Sequence, residues 1–169
     1  MIENEQKDAG NLKQEEVLIT HVFDASRELV FRAWTEPEQL IKWYAPEGCT
    51  ITFKQIDVRK GGRFHSCIYN PTYGNCWCKG TYLELDFPER IVFTMEVTDE
   101  AANDVQPTDV GMSPDWPAVT KVTVTFEELG AKTKMVLHQT VPASLAKETG
   151  AYPSWIQMFN RLNQMLCDD

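Results

Sequence analysis

The sequence predicts an α+β domain in which a curved antiparallel sheet wraps around a long carboxy-terminal helix, with two short helices after the first strand. Three observations carry that prediction. Six strand-like stretches lie between residues 49 and 140 and are separated by turn residues, as antiparallel strands require. The stretch Phe23 to Tyr44 interrupts them early with helical spacing that breaks at Pro37. From Pro153 onward Trp155, Met158, Phe159, Leu162, Met165 and Leu166 recur at helical spacing, and such a helix needs a large apolar partner surface.

Taken in order, Met1 to Gln14 holds almost no apolar side chains, so ordering it would bury little to offset the entropy lost, and residues 1–14 read as a flexible tail. Residues 15–169 read as one domain, since 169 residues at 43% apolar composition suit a single core. The β-branched Val17, Ile19, Thr20 and Val22 predict a first strand over Glu16 to Phe23. Ser26 can cap a helix in which Leu29, Val30, Ala33 and Trp34 form one apolar stripe. Pro37 suits the first turn of a second helix that buries Leu40, Ile41 and Tyr44, with Trp43 beside them. Strands are expected over Cys49 to Lys54, Arg63 to Tyr69, Cys76 to Leu85, Ile91 to Val97, Val119 to Phe126 and Thr133 to Thr140. Between the fourth and fifth of these, residues 98–118 hold five acids, three prolines and no Lys or Arg, a connection far longer than a hairpin loop.

A net charge of -9 disfavours nucleic acid and anionic membrane surfaces. No segment approaches a membrane span, and the amino terminus is polar and acidic, so the expectation is a soluble, cytoplasmic protein with no membrane partner. Five cysteines, an odd number, fit reduced thiols better than a disulfide scaffold.

The blocks Phe23-Asp24-Ala25-Ser26-Arg27-Glu28-Leu29-Val30-Phe31-Arg32-Ala33-Trp34-Thr35-Glu36-Pro37-Glu38, Trp43, Pro46-Glu47-Gly48, Gly61-Gly62-Arg63-Phe64, Gly80-Thr81-Tyr82-Leu83-Glu84 and Pro88-Glu89-Arg90-Ile91-Val92-Phe93-Thr94 stand in a defined order. In that order the chain, from about Glu16 to Leu166, resembles the Activator of Hsp90 ATPase homologue 1-like family of the START-like, helix-grip superfamily. The resemblance implies a cavity between sheet and long helix, open to small hydrophobic or amphipathic ligands. It also implies two further expectations: a chaperone partner or stress-linked role, because the family includes part of a eukaryotic co-chaperone, and a cavity enzyme of the polyketide cyclase type.

On this reading Trp43, Phe64, Ile68, Leu83, Phe93, Met95, Met135, Leu137, Trp155, Met158, Phe159 and Leu162 line or border the cavity, unless they simply fill a core. Ser66 and Gln139 are the expected orienting groups, because a buried amide needs partners that a ligand can supply. Trp116, set between Pro114 and Pro117, is the candidate lid residue of the long connection. If the hairpin turn is symmetric about Thr72 and Tyr73, Cys67 faces Cys78, and His65 and Cys76 share their side, a zinc-capable set on a flat surface that does not readily enclose an ion. Neither metal nor cofactor is expected. His21 and His138 lack any nucleophile at a motif spacing, and an enzyme would have to draw on Glu96, Tyr82 or His65. The expectation is therefore a non-enzymatic cavity protein.

Overall fold

Alternation along Glu16–Phe23 produces strand β1, in which Val17, Ile19 and Phe23 are buried while Leu18, Thr20 and Val22 face solvent. The computed structural model describes residues 15–168, so the expected tail lies outside the described residues. Helix α1 follows over Arg27–Thr35, with the Leu29 amide donating to the Ser26 hydroxyl at its start. Its buried stripe is Val30, Phe31, Ala33 and Trp34. Leu29 was expected in that stripe but is 50% exposed. Phe31 replaces it because aromatic partners wait there: its ring meets Phe87 at 5.2 Å and Phe126 at 5.5 Å, both edge-on.

Pro37 opens helix α2, Pro37–Trp43. Here too the buried face differs from the expectation. Leu40 and Trp43 are buried, while Ile41 is 51% exposed and Tyr44, just past the helix, is half-buried. Trp43 sets the rotation, since its indole N–H donates to the Ala33 carbonyl at 2.9 Å and ties α2 back to α1.

The remaining strands are β2 (Thr50–Ile56), β3 (Arg63–Asn70), β4 (Gly74–Asp86), β5 (Arg90–Thr98), β6 (Val119–Leu129) and β7 (Lys132–Pro142). They join β1 in one antiparallel sheet of order β1-β7-β6-β5-β4-β3-β2. Two helices close the chain, α3 (Ala143–Thr149) and α4 (Ala151–Asp168), separated by Gly150 in the left-handed conformation at φ 88°. Helix α3 was not anticipated, and α4 begins two residues before Pro153. This is the α+β helix-grip arrangement.

Helix α4 buries Trp155, Met158, Phe159 and Leu162 against the inner face, where Val122, Val124, Phe126, Met135 and Leu137 form the middle of the core. A polar clamp fixes its other side. Arg161 donates from Nη1 to the Ala45 carbonyl at 2.6 Å and from Nη2 to the Lys42 carbonyl at 3.1 Å, pairing oxygens that the end of α2 leaves free. That clamp positions the Tyr44–Cys49 segment, which forms one rim of the site.

Candidate ligand cleft

Because strands alternate, Phe64, Ser66 and Ile68 of β3 point to the helix-bearing face with Cys76 and Cys78 of β4 opposite them. Because helices repeat every 3.6 residues, Ala151, Ser154, Trp155 and Met158 share one side of α4. These two sets do not meet along their whole length. A cleft of about 340 Å³ remains between them, closed by Tyr44 and Pro46 after α2, Met95 of β5, and Val110 and Trp116 of the long connection. Asn70, Tyr73 and Asn75 of the β3–β4 hairpin rim it. Deeper in, a void of only about 20 Å³ is bordered by Trp34, Leu40, Phe53, Phe64, Ser66, Tyr82, Ile91 and Phe93, and Tyr44 borders both spaces.

The residues named from sequence divide accordingly. Ile68, Met95, Trp116, Gln139, Trp155 and Met158 line the cleft. Phe64, Ser66 and Phe93 line the inner void. Trp43, Met135, Leu137, Phe159 and Leu162 are buried among one another's neighbours in the continuous core and border neither space. Leu83 is a correction: it is 40% exposed and lines neither space, because Tyr82 beside it borders the inner void and alternation turns Leu83 to the other face. Sequence reasoning missed Tyr44 as a cleft residue, as it did Pro46, Cys49, Val110, Ala151, Ser154 and the hairpin residues Asn70 and Tyr73 to Cys76. For Tyr44 the signal was its spacing of four from Leu40, which marked it for the buried side of α2.

The polar groups inside are mostly engaged by the protein. Gln139 was expected to await a ligand, yet its amide donates to the Thr120 hydroxyl at 3.0 Å and its carbonyl accepts the Trp155 indole N–H at 2.9 Å. Ser66 donates to the Cys78 carbonyl at 3.4 Å. Burial raises the Tyr44 phenol well above its ordinary range, with smaller contributions from Cys78 and Tyr82, and burial likewise raises Tyr82. The Cys78 thiol is pushed up to about 12, mainly by burial and then by Cys76. All three groups therefore remain protonated at neutral pH.

The hairpin register differs from the symmetric one. Asn70 pairs with Gly74 around a three-residue loop, so Cys67 faces Trp77 and Ser66 faces Cys78. Gly74 takes φ 88°, the left-handed step that a three-residue hairpin uses, and the centre moves to Thr72. A one-residue shift exchanges faces. His65 and Cys67 stand on the outer face, Cys76 and Cys78 on the inner, and among the described residues no group of three or more His, Cys, Asp or Glu is placed to hold a metal ion. All five cysteines are unbridged. Of the groups an enzyme would have needed, Glu96 and His65 border an outer groove and Tyr82 borders the inner void. His21 faces Phe23 and Phe159 on the helix-bearing side, and burial lowers its pKa. His138 lies on the outer face, 2.9 Å from the Glu16 carboxylate.

The connection 99–118 grips the sheet from both sides. On the outer face Lys79 contacts Asp104 at 2.6 Å, Glu96 at 3.1 Å and the Ala102 carbonyl at 3.0 Å, and Lys54 donates to the Glu100 carbonyl at 2.9 Å. Nε2 of His65 lies 3.3 Å from the Asp99 carbonyl and 3.2 Å from the Thr98 hydroxyl. Farther along, a 3₁₀ turn over Pro107–Val110 brings Val110 and then Trp116 to the cleft. Replacing Lys79 with alanine is expected to speed amide exchange at 99–104 while leaving β6 and β7 protected; unchanged exchange there would show that the anchor is not electrostatic. The pH window has two edges. Hydrogen bonds from Lys79 depress Asp104, and those from Asn103 depress Asp99, from an ordinary 3.8, so their contribution is present above that value and lost as pH falls through the lowered pKa. Lys79 is raised above 10.5, first by its hydrogen bond to Asp104, so its contribution is present below 10.5 and lost as pH climbs through the raised value.

No helix among the described residues is long and apolar enough to cross a membrane. By structure the chain is similar to a protein from Arthrobacter aurescens (TM-score 0.79, 20% identity, 94% of this chain and 89% of that one). It is also similar to one from Chromobacterium violaceum (TM-score 0.69, 25% identity, 89% and 95%). A third similar structure is the AHSA1 protein from Silicibacter pomeroyi (TM-score 0.70, 17% identity, 90% and 98%). No curated protein matches. The profile of the family described as Activator of Hsp90 ATPase homolog 1-like protein matches residues 24–167, and the chain belongs to that family.

Proposed function

We propose that this protein binds a small, uncharged, largely apolar molecule in the cleft between α4 and the sheet. One observation carries the reading. The cleft is about 340 Å³, its walls include Tyr44, Ile68, Met95, Trp116, Trp155 and Met158, and among the described residues that line it there is no Asp, Glu, Lys, Arg or His. That volume is at the lower end of the roughly 300–1,000 Å³ typical of ligand sites, which favours a compact ligand. Each Å² of apolar surface withdrawn from water contributes about 25 cal/mol, whereas an unpaired charge there would be strongly opposed.

N-phenyl-1-naphthylamine, an uncharged aromatic whose fluorescence rises in apolar surroundings, is the probe of choice. Saturable binding of one molecule per chain is expected, with quenching of tryptophan emission because Trp116 and Trp155 are in the walls. Ser154→Trp introduces a large ring from the helix side and is expected to weaken binding by at least about tenfold, or about 1.4 kcal/mol. Either no saturable binding to the unaltered protein or undiminished binding to a folded Ser154→Trp variant rules the cleft out.

A further inference from the structure

The hydroxyl groups of the cleft are not equivalent. Ser154 donates to the Gly150 carbonyl at 2.8 Å, and Tyr73 stands at the rim with most of its surface in solvent. The Tyr44 hydroxyl has only the Met95 sulfur within reach, at 3.9 Å. A thioether is a weak acceptor, and that distance is long for any hydrogen bond. The phenol cannot swing to a better partner, because its ring is held edge-on by Trp34 at 6.0 Å, Trp43 at 5.3 Å and Trp155 at 5.8 Å. A rigidly held donor that faces a cleft with only a thioether in reach marks the place where a ligand's acceptor belongs.

We propose that the Tyr44 hydroxyl determines specificity: among small uncharged molecules, it selects those that present a carbonyl-type acceptor to the inner end of the cleft. The proposal rests on the cleft-binding reading and deepens it. Tyr44 acts as donor, since burial keeps its phenol protonated. Its apolar surroundings strengthen the bond that a carbonyl would make. A ketone, ester or amide on an apolar body satisfies the phenol, while a carboxylate brings a charge into a cleft with no cation among its described lining residues.

The test is a double-mutant cycle between protein and ligand. Displacement of N-phenyl-1-naphthylamine is measured with 2-acetylnaphthalene and with 2-isopropenylnaphthalene, near-isosteres in which a carbonyl oxygen is exchanged for a methylene. Tyr44→Phe is expected to reduce the preference for the ketone over the hydrocarbon by about five- to tenfold. A preference unaltered by Tyr44→Phe, with both compounds still displacing the probe, overturns the role of Tyr44 and leaves the cleft reading standing. Failure of both compounds and the probe to bind overturns the two together. A second measurement needs no variant: the infrared carbonyl band of bound, isotope-labelled 2-acetylnaphthalene is expected at a hydrogen-bonded frequency. A band at its frequency in dry alkane overturns the proposal.

Discussion

Trp43→Ala is expected to remove about 3–5 kcal/mol of stability, which lowers the melting temperature by roughly 6–20 °C for a chain of this size. Trp43 is completely buried, its ring meets Trp34 at 4.8 Å and Tyr44 at 5.3 Å, and its N–H occupies the Ala33 carbonyl. Truncation therefore leaves a cavity and an unpaired acceptor between the two short helices. Trp43→Phe removes the donor while keeping a six-membered ring in place of the cavity, at a cost of about 1–3 kcal/mol for the lost hydrogen bond. The result also bears on function. A Trp43→Ala protein that melts near the unaltered temperature but no longer binds the naphthyl probe would move this residue from core to ligand wall.

Gly80→Ala is expected to be nearly as damaging, at about 3 kcal/mol and a fall in melting temperature of roughly 6–12 °C. A methyl group built on Gly80 would lie 1.8 Å from the Thr94 carbonyl oxygen of the adjacent strand and 2.6 Å from the Phe64 ring. Backbone has no rotamer with which to retreat. β4 and β5 must part, and the pairing between Lys79–Glu96 and Tyr82–Phe93 is where the strain falls. Thermal unfolding followed by circular dichroism decides the matter, and a Gly80→Ala variant of unaltered stability would mean that the strands separate there at little cost. Since Phe64 borders the inner void, a tolerated methyl group would also show that the void can deform.

The parts of this molecule that depend on neighbours in sequence were legible without coordinates. Ser26 caps α1, Pro37 starts α2, and the alternation in β6 and β7 placed Val122, Val124, Phe126, Met135, Leu137 and Gln139 on the buried face. Errors arose where the deciding partner was distant. Leu29 and Ile41 satisfy the helical period as well as the residues that replaced them, and only Phe87, Phe126 and the Ala33 carbonyl chose between the possible rotations. The hairpin register turned on the loop length and on the left-handed Gly74, and one residue was enough to put His65 and Cys67 on the opposite face from Cys76 and Cys78.

The amino-acid sequence by itself determined the class of fold, the order of its strands and of every helix except α3, and the family, because periodicity, caps and turn residues act over a few positions and many of them agree. Tertiary structure alone decided which apolar side chains fill the core and which border space. Trp43 and Trp155 are alike on paper, yet one is enclosed by its neighbours and the other forms a cleft wall. It also decided which buried polar groups are already paired: Gln139 is occupied by Thr120 and Trp155 from other elements, while Tyr44 faces a cleft with only a thioether in reach. The physical reason is the same in both cases. Packing space and hydrogen-bond partners are shared among segments far apart in the chain, and no local pattern records how the sharing ends.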